Sequence, residues 1–300
     1  MRDFAFHRPR SVAEAVALLH GKESAKLLAG GQSLLPVMKL DLAEPTDLVS
    51  LAAISVSSAS AAGAANLGDP RHPDGAGLRQ IRVEDGSAGD AGRLVIGALA
   101  THDRVSASAE VRRLIPGLAE LAAGIGDAQV RNRGTIGGSL AHADPAADYP
   151  AAVLALGATV ETDRRRIAAD DFFTGLFSTA LAADEIITAV HFPVPERCAY
   201  VKFPHRASKF AVVGVMVATF AASQGTAAAV RVAVTGAAQK TFRLPALETA
   251  LAARFTPDAA GQGVLADAAA GILRSDGEAS AEYRAHLVTV MARRAIQACA

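Results

Sequence analysis

Two short runs of small residues, Ala29-Gly30-Gly31-Gln32-Ser33 and Thr135-Ile136-Gly137-Gly138-Ser139, carry the clearest chemical signal in this chain. Each borders an apolar segment. Consecutive residues without a Cβ let main-chain N–H groups close on a phosphate, so both runs suit an anionic ligand. Two such loops in one chain suit the two phosphates of a dinucleotide.

Around the second loop, the segment QVRNRGTIGGSLAHADPAADYP over residues 129–150 is dense in polar and small residues. Asp148 stands at a helix start, where a carboxylate either caps N–H groups or accepts hydrogen bonds from a ribose. His142 is either an active-site base or a structural histidine; it has no evident orienting partner. Lys202, in Ala199-Tyr200-Val201-Lys202-Phe203, puts a charge into an apolar strand pattern. It reads either as an outward-facing edge position or as a cation beside a cofactor.

Other chemistries lack their motifs. Gly124-Ile125-Gly126 begins like a dinucleotide fingerprint, but Gln129 stands where its third glycine belongs. The chain has no G-x-x-x-x-G-K-[ST], no G-x-S-x-G and no H-E-x-x-H. Its two cysteines, Cys198 and Cys299, are too few and too distant in sequence for an iron–sulfur or zinc centre. They read as reduced thiols, and no metal site is expected.

Several elements must position these residues. Ser11 and Glu14 form a capping box ahead of the stripe Val12, Val16, Leu19, which Gly21 ends. Residues 25–29 read as a strand running into the first loop, with a second apolar segment over 48–51. Residues 55–92, rich in Ala, Ser, Gly, Asp and Pro, read as a surface excursion interrupted by one strand-like piece, 78–83. Strands are expected over 93–99 and 159–162, helices over 116–123 and 149–156. Residues 185–191, 199–203, 211–220 and 230–235 read as strands of one C-terminal antiparallel sheet. From Pro245 the pattern is helical, longest over 281–298. The order is that of an α+β protein in several layers.

Composition narrows the class. The 300 residues can bury a large core. Thirty basic and thirty acidic residues cancel, and only Arg164-Arg165-Arg166 forms a basic run, expected on a solvated turn, so nucleic acid is a poor partner. Mean hydropathy of +0.25 reflects alanine. No stretch reaches the about 18 uncharged apolar residues of a membrane span. The N-terminus lacks the apolar region of an export signal, so a cytoplasmic location is expected.

The segments AGGQSLLPVMKL (29–40), ATHDRV (100–105), VRNRGTIGGSLAHADPAADYPAAVLAL (130–156), DDFFTG (170–175), LAADEII (181–187), KFPHRASKFAVVGV (202–215) and EYRAHLVTVMARRAIQ (282–297) together resemble one family. It is the FAD-binding medium subunit of molybdenum hydroxylases, the group of carbon monoxide dehydrogenase and xanthine dehydrogenase. The likeness spans the chain outside the 55–92 excursion.

The resemblance implies non-covalent FAD. Leu27, Leu28, Ala29, Gly30, Gly31, Gln32, Ser33 and Leu34 would wrap its diphosphate with Thr135, Gly137, Gly138 and Ser139, and Thr101 would join this site. Asp148 would bind ribityl or ribose hydroxyls, Ile125 would support adenine, Leu181 would pack near the isoalloxazine and Lys202 would lie beside its pyrimidine side. Arg131 and Arg133 would add long-range charge. Three positions depart from the family: Asp41 in place of arginine, Ser139 of asparagine, and Leu176 of a tyrosine near the flavin. No residue is expected to be an acid–base catalyst.

The implied fold is the FAD-binding type of the vanillyl-alcohol oxidase group: an α/β lobe over residues 1–54, an α+β lobe over 55–175, and a sheet-plus-helices domain over 176–300. The implied function is electron transfer from [2Fe-2S] clusters of a small partner subunit to an external acceptor. A large molybdenum subunit would oxidise the substrate, in an (αβγ)2 assembly. The alternatives are a self-contained flavin oxidase and a silent FAD-bound scaffold subunit.

Overall fold

The computed structural model describes residues 2–54, 77–84, 92–222, 228–261 and 271–300. Of the excursion expected over 55–92, all but residues 77–84 and 92 therefore lies outside the described residues.

The first layer runs β1 (Ala5–His7), α1 (Val12–Leu19), β2 (Ala25–Leu28), α2 (Leu34–Lys39) and β3 (Asp47–Ser50). β3 lies between β1 and β2 and is parallel to both. Ser11 caps α1 by accepting from the Glu14 N–H at 3.1 Å, while the Glu14 carboxylate accepts from the Arg10 N–H rather than from that of Ser11. Ala15 and Leu19 then face a small core with Val49, Leu51 and Ile54, closed by Leu99 and Ile186 of the next layer.

The second layer begins with β4 (Ile81–Glu84) and β5 (Arg93–Gly97). Six helices follow: α3 (His102–Ala107), α4 (Ala109–Leu114), α5 (Pro116–Ala123), α6 (Ala128–Arg133), α7 (Ile136–His142) and α8 (Tyr149–Ala155). The layer ends with β6 (Thr159–Thr162), β7 (Arg166–Ala168), α9 (Ala169–Phe172), the hairpin β8 (Phe173–Gly175) and β9 (Ser178–Thr179), and β10 (Ile187–Pro193). Its sheet is antiparallel in the order β4-β5-β10-β6-β7. The strand expected at 185–191 thus belongs here and not to the C-terminal sheet. Val190 and Phe192 are fully buried in this layer's core, and strand pattern alone does not name a strand's partners. Arg164 and Arg165 sit on the turn between β6 and β7 and Arg166 opens β7, all paired with Asp163, Asp184, Glu185 and Glu161.

The third layer is the antiparallel sheet β11 (Arg197–Pro204), β12 (Ala211–Phe220), β13 (Ala229–Thr235) and β14 (Phe242–Arg243), with α10 (Pro245–Ala253) and α11 (Ala281–Cys299). Along β12, Val213, Val215 and Val217 enter the core shared with α10 and α11, whereas Met216 and Ala218 enter the second layer's core. This is period-two alternation with both faces buried. Helix α8 packs on the second face, and all seven of its residues are buried. Arg231 of β13 fastens it, donating to the Leu154 carbonyl at 2.8 Å and to Asp170 at 2.9 Å. At the start of α11, the buried Arg284 donates to the carbonyls of Val212 and Gly236 and grips both oxygens of Asp276.

Candidate cofactor site

The two loops meet. Gly30 closes so tightly on the Arg133–Gly134 peptide that a Cβ would overlap the Arg133 carbonyl oxygen. Ala29 lies against Gly138, within 3.7 Å of where a Cβ would stand. Leu27 and Leu28 end β2, Ala29 to Ser33 form the turn, and Leu34 opens α2. Gly31 takes φ +76°, the left-handed region that side chains disfavour. Among the described residues, no group accepts from the N–H groups of Gly30, Gly31, Gln32 or Ser33, and Ser33 does not cap α2 with its side chain. Together they are a set of free donors at a helix start, the arrangement that binds an anion.

The second loop is built differently. Gly137 and Gly138 lie inside α7, which Thr135 caps by accepting from the Gly138 N–H at 3.1 Å. The N–H groups of Ile136 and Gly137 donate to the carbonyls of Ala100 and Ala98, and that of Ser139 to Thr135. Its main-chain donors are therefore engaged internally. Gly137 lacks a side chain because a Cβ would stand 2.6 Å from that of Ala98. The Ser139 hydroxyl remains without a partner among the described residues. Thr101 caps α3 and bridges Thr135, binding this loop to the end of β5.

A second cluster gathers around Asp148, which is 4% exposed. Asp148 has helical backbone angles and makes no side-chain cap, so the capping reading fails. Its Oδ1 accepts from the Tyr200 hydroxyl at 2.6 Å and lies 2.9 Å from Lys202 Nζ. Burial pushes the Asp148 carboxyl up, opposed by Lys202 and Tyr200. Burial and the adjacent Asp148 also push the Tyr200 phenol up, so it stays a donor. Lys202 also donates to the carbonyls of Gly124, at 2.9 Å, and Lys209, at 2.8 Å. Its three donors are matched, and its side chain is not outward-facing although β11 is an edge strand. Ile125 follows Gly124, and its carbonyl accepts from Arg131. Leu181 packs on the second layer's core with its N–H on Thr179; no hydrogen bond among the described residues joins it to either cluster. His142 lies against the ring of Phe177 at 5.2 Å.

Sequence reading passed over Tyr200 and His102. Tyr200 stands two residues before Lys202 on one strand, and period-two spacing marks it as facing the same side. His102, 5% exposed, lies beneath the second loop and is held down to about 4 by burial and by Arg131.

The free amides of the first loop suit an anion, and the second cluster holds a buried carboxylate between Tyr200 and Lys202. A family described as the FAD binding domain in molybdopterin dehydrogenase matches residues 2–67 and 76–195, and the CO dehydrogenase flavoprotein C-terminal domain matches 198–299. The chain belongs to this family of FAD-binding oxidoreductase subunits. It is 37% identical to the nicotine 6-hydroxylase medium subunit of Paenarthrobacter nicotinovorans, over 96% of this chain and 94% of that one. It is 36% identical to the carbon monoxide dehydrogenase medium chain of Hydrogenophaga pseudoflava, over 98% and 96%. A solved structure of carbon monoxide dehydrogenase from H. pseudoflava, lacking the Mo-pyranopterin moiety, superposes with a TM-score of 0.83 at 35% identity, covering 99% of this chain and 97% of that one. Mixed helix and sheet is thus the architecture of the family. Among the described residues, no helix is long and apolar enough to cross a membrane.

Proposed function

We infer that this chain carries FAD as an electron-transfer subunit, receiving electrons from [2Fe-2S] clusters of a small partner and passing them to an external acceptor. A large molybdenum subunit oxidises the substrate, and the three chains assemble as (αβγ)2 in the cytoplasm. The observation that carries the reading is the run of free amides from Gly30 to Ser33 where the first loop closes on the second. The parallel first layer and antiparallel second layer are read as the two lobes of the vanillyl-alcohol-oxidase type.

In this site the amides of Gly30 to Ser33 hold the diphosphate, and Ser139 adds a hydroxyl. Asp148 Oδ2 accepts from a ribityl or ribose hydroxyl, while Tyr200 and Lys202 fix the carboxylate through Oδ1. Thr101 and Thr135 hold the second loop in place, Ile125 supports adenine, and Leu181 packs near the isoalloxazine. FAD supplies the capacity to accept and release electrons when bound. His142 lies against Phe177 and is assigned no catalytic role in this reading.

The test is reduction of the flavin. The purified chain should be yellow and release FAD on heating or acidification. Dithionite should reduce it, while carbon monoxide, N-heterocycles and aldehydes should not until small and large partner subunits are added. Multiple turnover of such a substrate by the single chain would make it a self-contained oxidase. Flavin that never exchanges electrons in the assembled complex would make it a scaffold.

A further inference from the structure

His102 has a place in the fold that the phosphate-binding reading does not use. Its ring is packed against that of Tyr149, centroids 5.3 Å apart and tilted by 51°. Its other side faces Gly134, and its own main-chain N–H donates to the Gly134 carbonyl at 2.9 Å. Gly134 has φ −60° and ψ 141°, angles open to any residue, so its backbone conformation does not require glycine. A Cβ there would instead overlap Nε2 and Cδ2 of His102, with the Val130 carbonyl oxygen at 3.2 Å. The Arg133–Gly134 peptide is also the surface on which Gly30 closes. Side chain and main chain thus stack without a gap from Tyr149 through His102 and Gly134 to the first loop.

We propose that His102 is a positioning residue for the cofactor: its imidazole, backed by Tyr149, props the Arg133–Gly134 peptide and so sets the separation of the two phosphate loops. The ring is buried, and Nδ1 has no hydrogen-bond partner among the described residues, so its contribution is shape rather than a bond. A side chain crowding the ring from Gly134 forces the ring or the peptide to shift, and the phosphate donors of the first loop move with it.

The inference rests on FAD binding between the loops, and a double-mutant cycle on the full chain tests it separately. FAD affinity is measured by titrating the deflavinated wild type, Gly134→Ala, His102→Ala and the double variant, with ³¹P NMR of the bound diphosphate. Gly134→Ala should weaken FAD by about tenfold and shift the ³¹P resonances, and adding His102→Ala should recover most of both, because coupled neighbours are not additive. Should His102→Ala not fold, His102→Asn, which also clears the ring, replaces it. Unaltered affinity and spectra in Gly134→Ala, or losses that simply add, would overturn the role of His102. A wild-type chain that binds no FAD would overturn the functional reading instead.

Discussion

Lys202 Nζ lies 2.9 Å from Asp148 Oδ1, joining the C-terminal sheet to the residue that opens α8. Lys202 opposes what burial does to Asp148. In Lys202→Met burial acts against only Tyr200 and a backbone hydrogen bond, and the carboxyl rises further. A carboxyl raised in the fold stabilises it at low pH, and that stability is lost as pH rises through the folded value. Lys202→Met should therefore melt below the wild type, by about 3–5 kcal/mol where Asp148 stays charged. The deficit should be larger at pH 8 than at pH 5. Equal deficits at both would show that Lys202 does not act through Asp148.

The glycines of the two loops should fail in different ways. Gly30→Val drives a side chain into the Arg133 carbonyl and parts the loops, so FAD is lost and the deflavinated chain also melts lower. Gly137→Val pushes on Ala98 and should cost about 1–3 kcal/mol of stability in urea unfolding. Full FAD occupancy in folded Gly30→Val would move the diphosphate elsewhere.

Acid should expose His102. Because its folded pKa of about 4 lies below the free value, the unfolded chain binds the proton first as pH falls. This lowers stability progressively from about pH 6.5 toward 4, by about 2 kcal/mol at pH 5. His102→Phe removes that group, so its stability relative to wild type should improve by this amount between pH 7 and 5. A difference independent of pH would mean that His102 titrates normally.

Arg284 should be costly to remove. Its loss leaves the carbonyls of Val212 and Gly236 without this donor, and the Asp276 carboxylate with only the Glu278 and Ala279 N–H groups and Arg274. Arg284→Met is expected to lose about 3–5 kcal/mol in urea unfolding. A loss below about 1 kcal/mol would mark the cluster as an ordinary surface pair.

The sequence revealed what depends on local pattern. Ser11 with Glu14, Pro116 opening α5 and the alternation of β12 each carry their signal within a few residues. The short helices around the loops do not. α3 and α4 share Ser108 as the end of one and the cap of the next. α7 holds two adjacent glycines, which each cost about 1 kcal/mol in a helix and read as a turn. Only the neighbouring Ala98 explains why Gly137 is tolerated there. The same holds in the site: Asp148 and Lys202 stand out as charges in apolar surroundings, but their partnership is formed by folding. Tyr200 carried a usable strand signal, whereas His102 had none, since its neighbours are Arg131 of α6, Gly134 just after it, and Tyr149 of α8.

Helix α8 has no wet side. Substitutions on it are therefore felt at once by the layer that carries the loops and by the sheet that carries Lys202. A change of size at Val153 or Leu154 should need a matching change across both neighbours, so the two layers cannot drift apart in sequence independently. The same packing opposes hinging between them, which holds the distance from the loops to the C-terminal sheet.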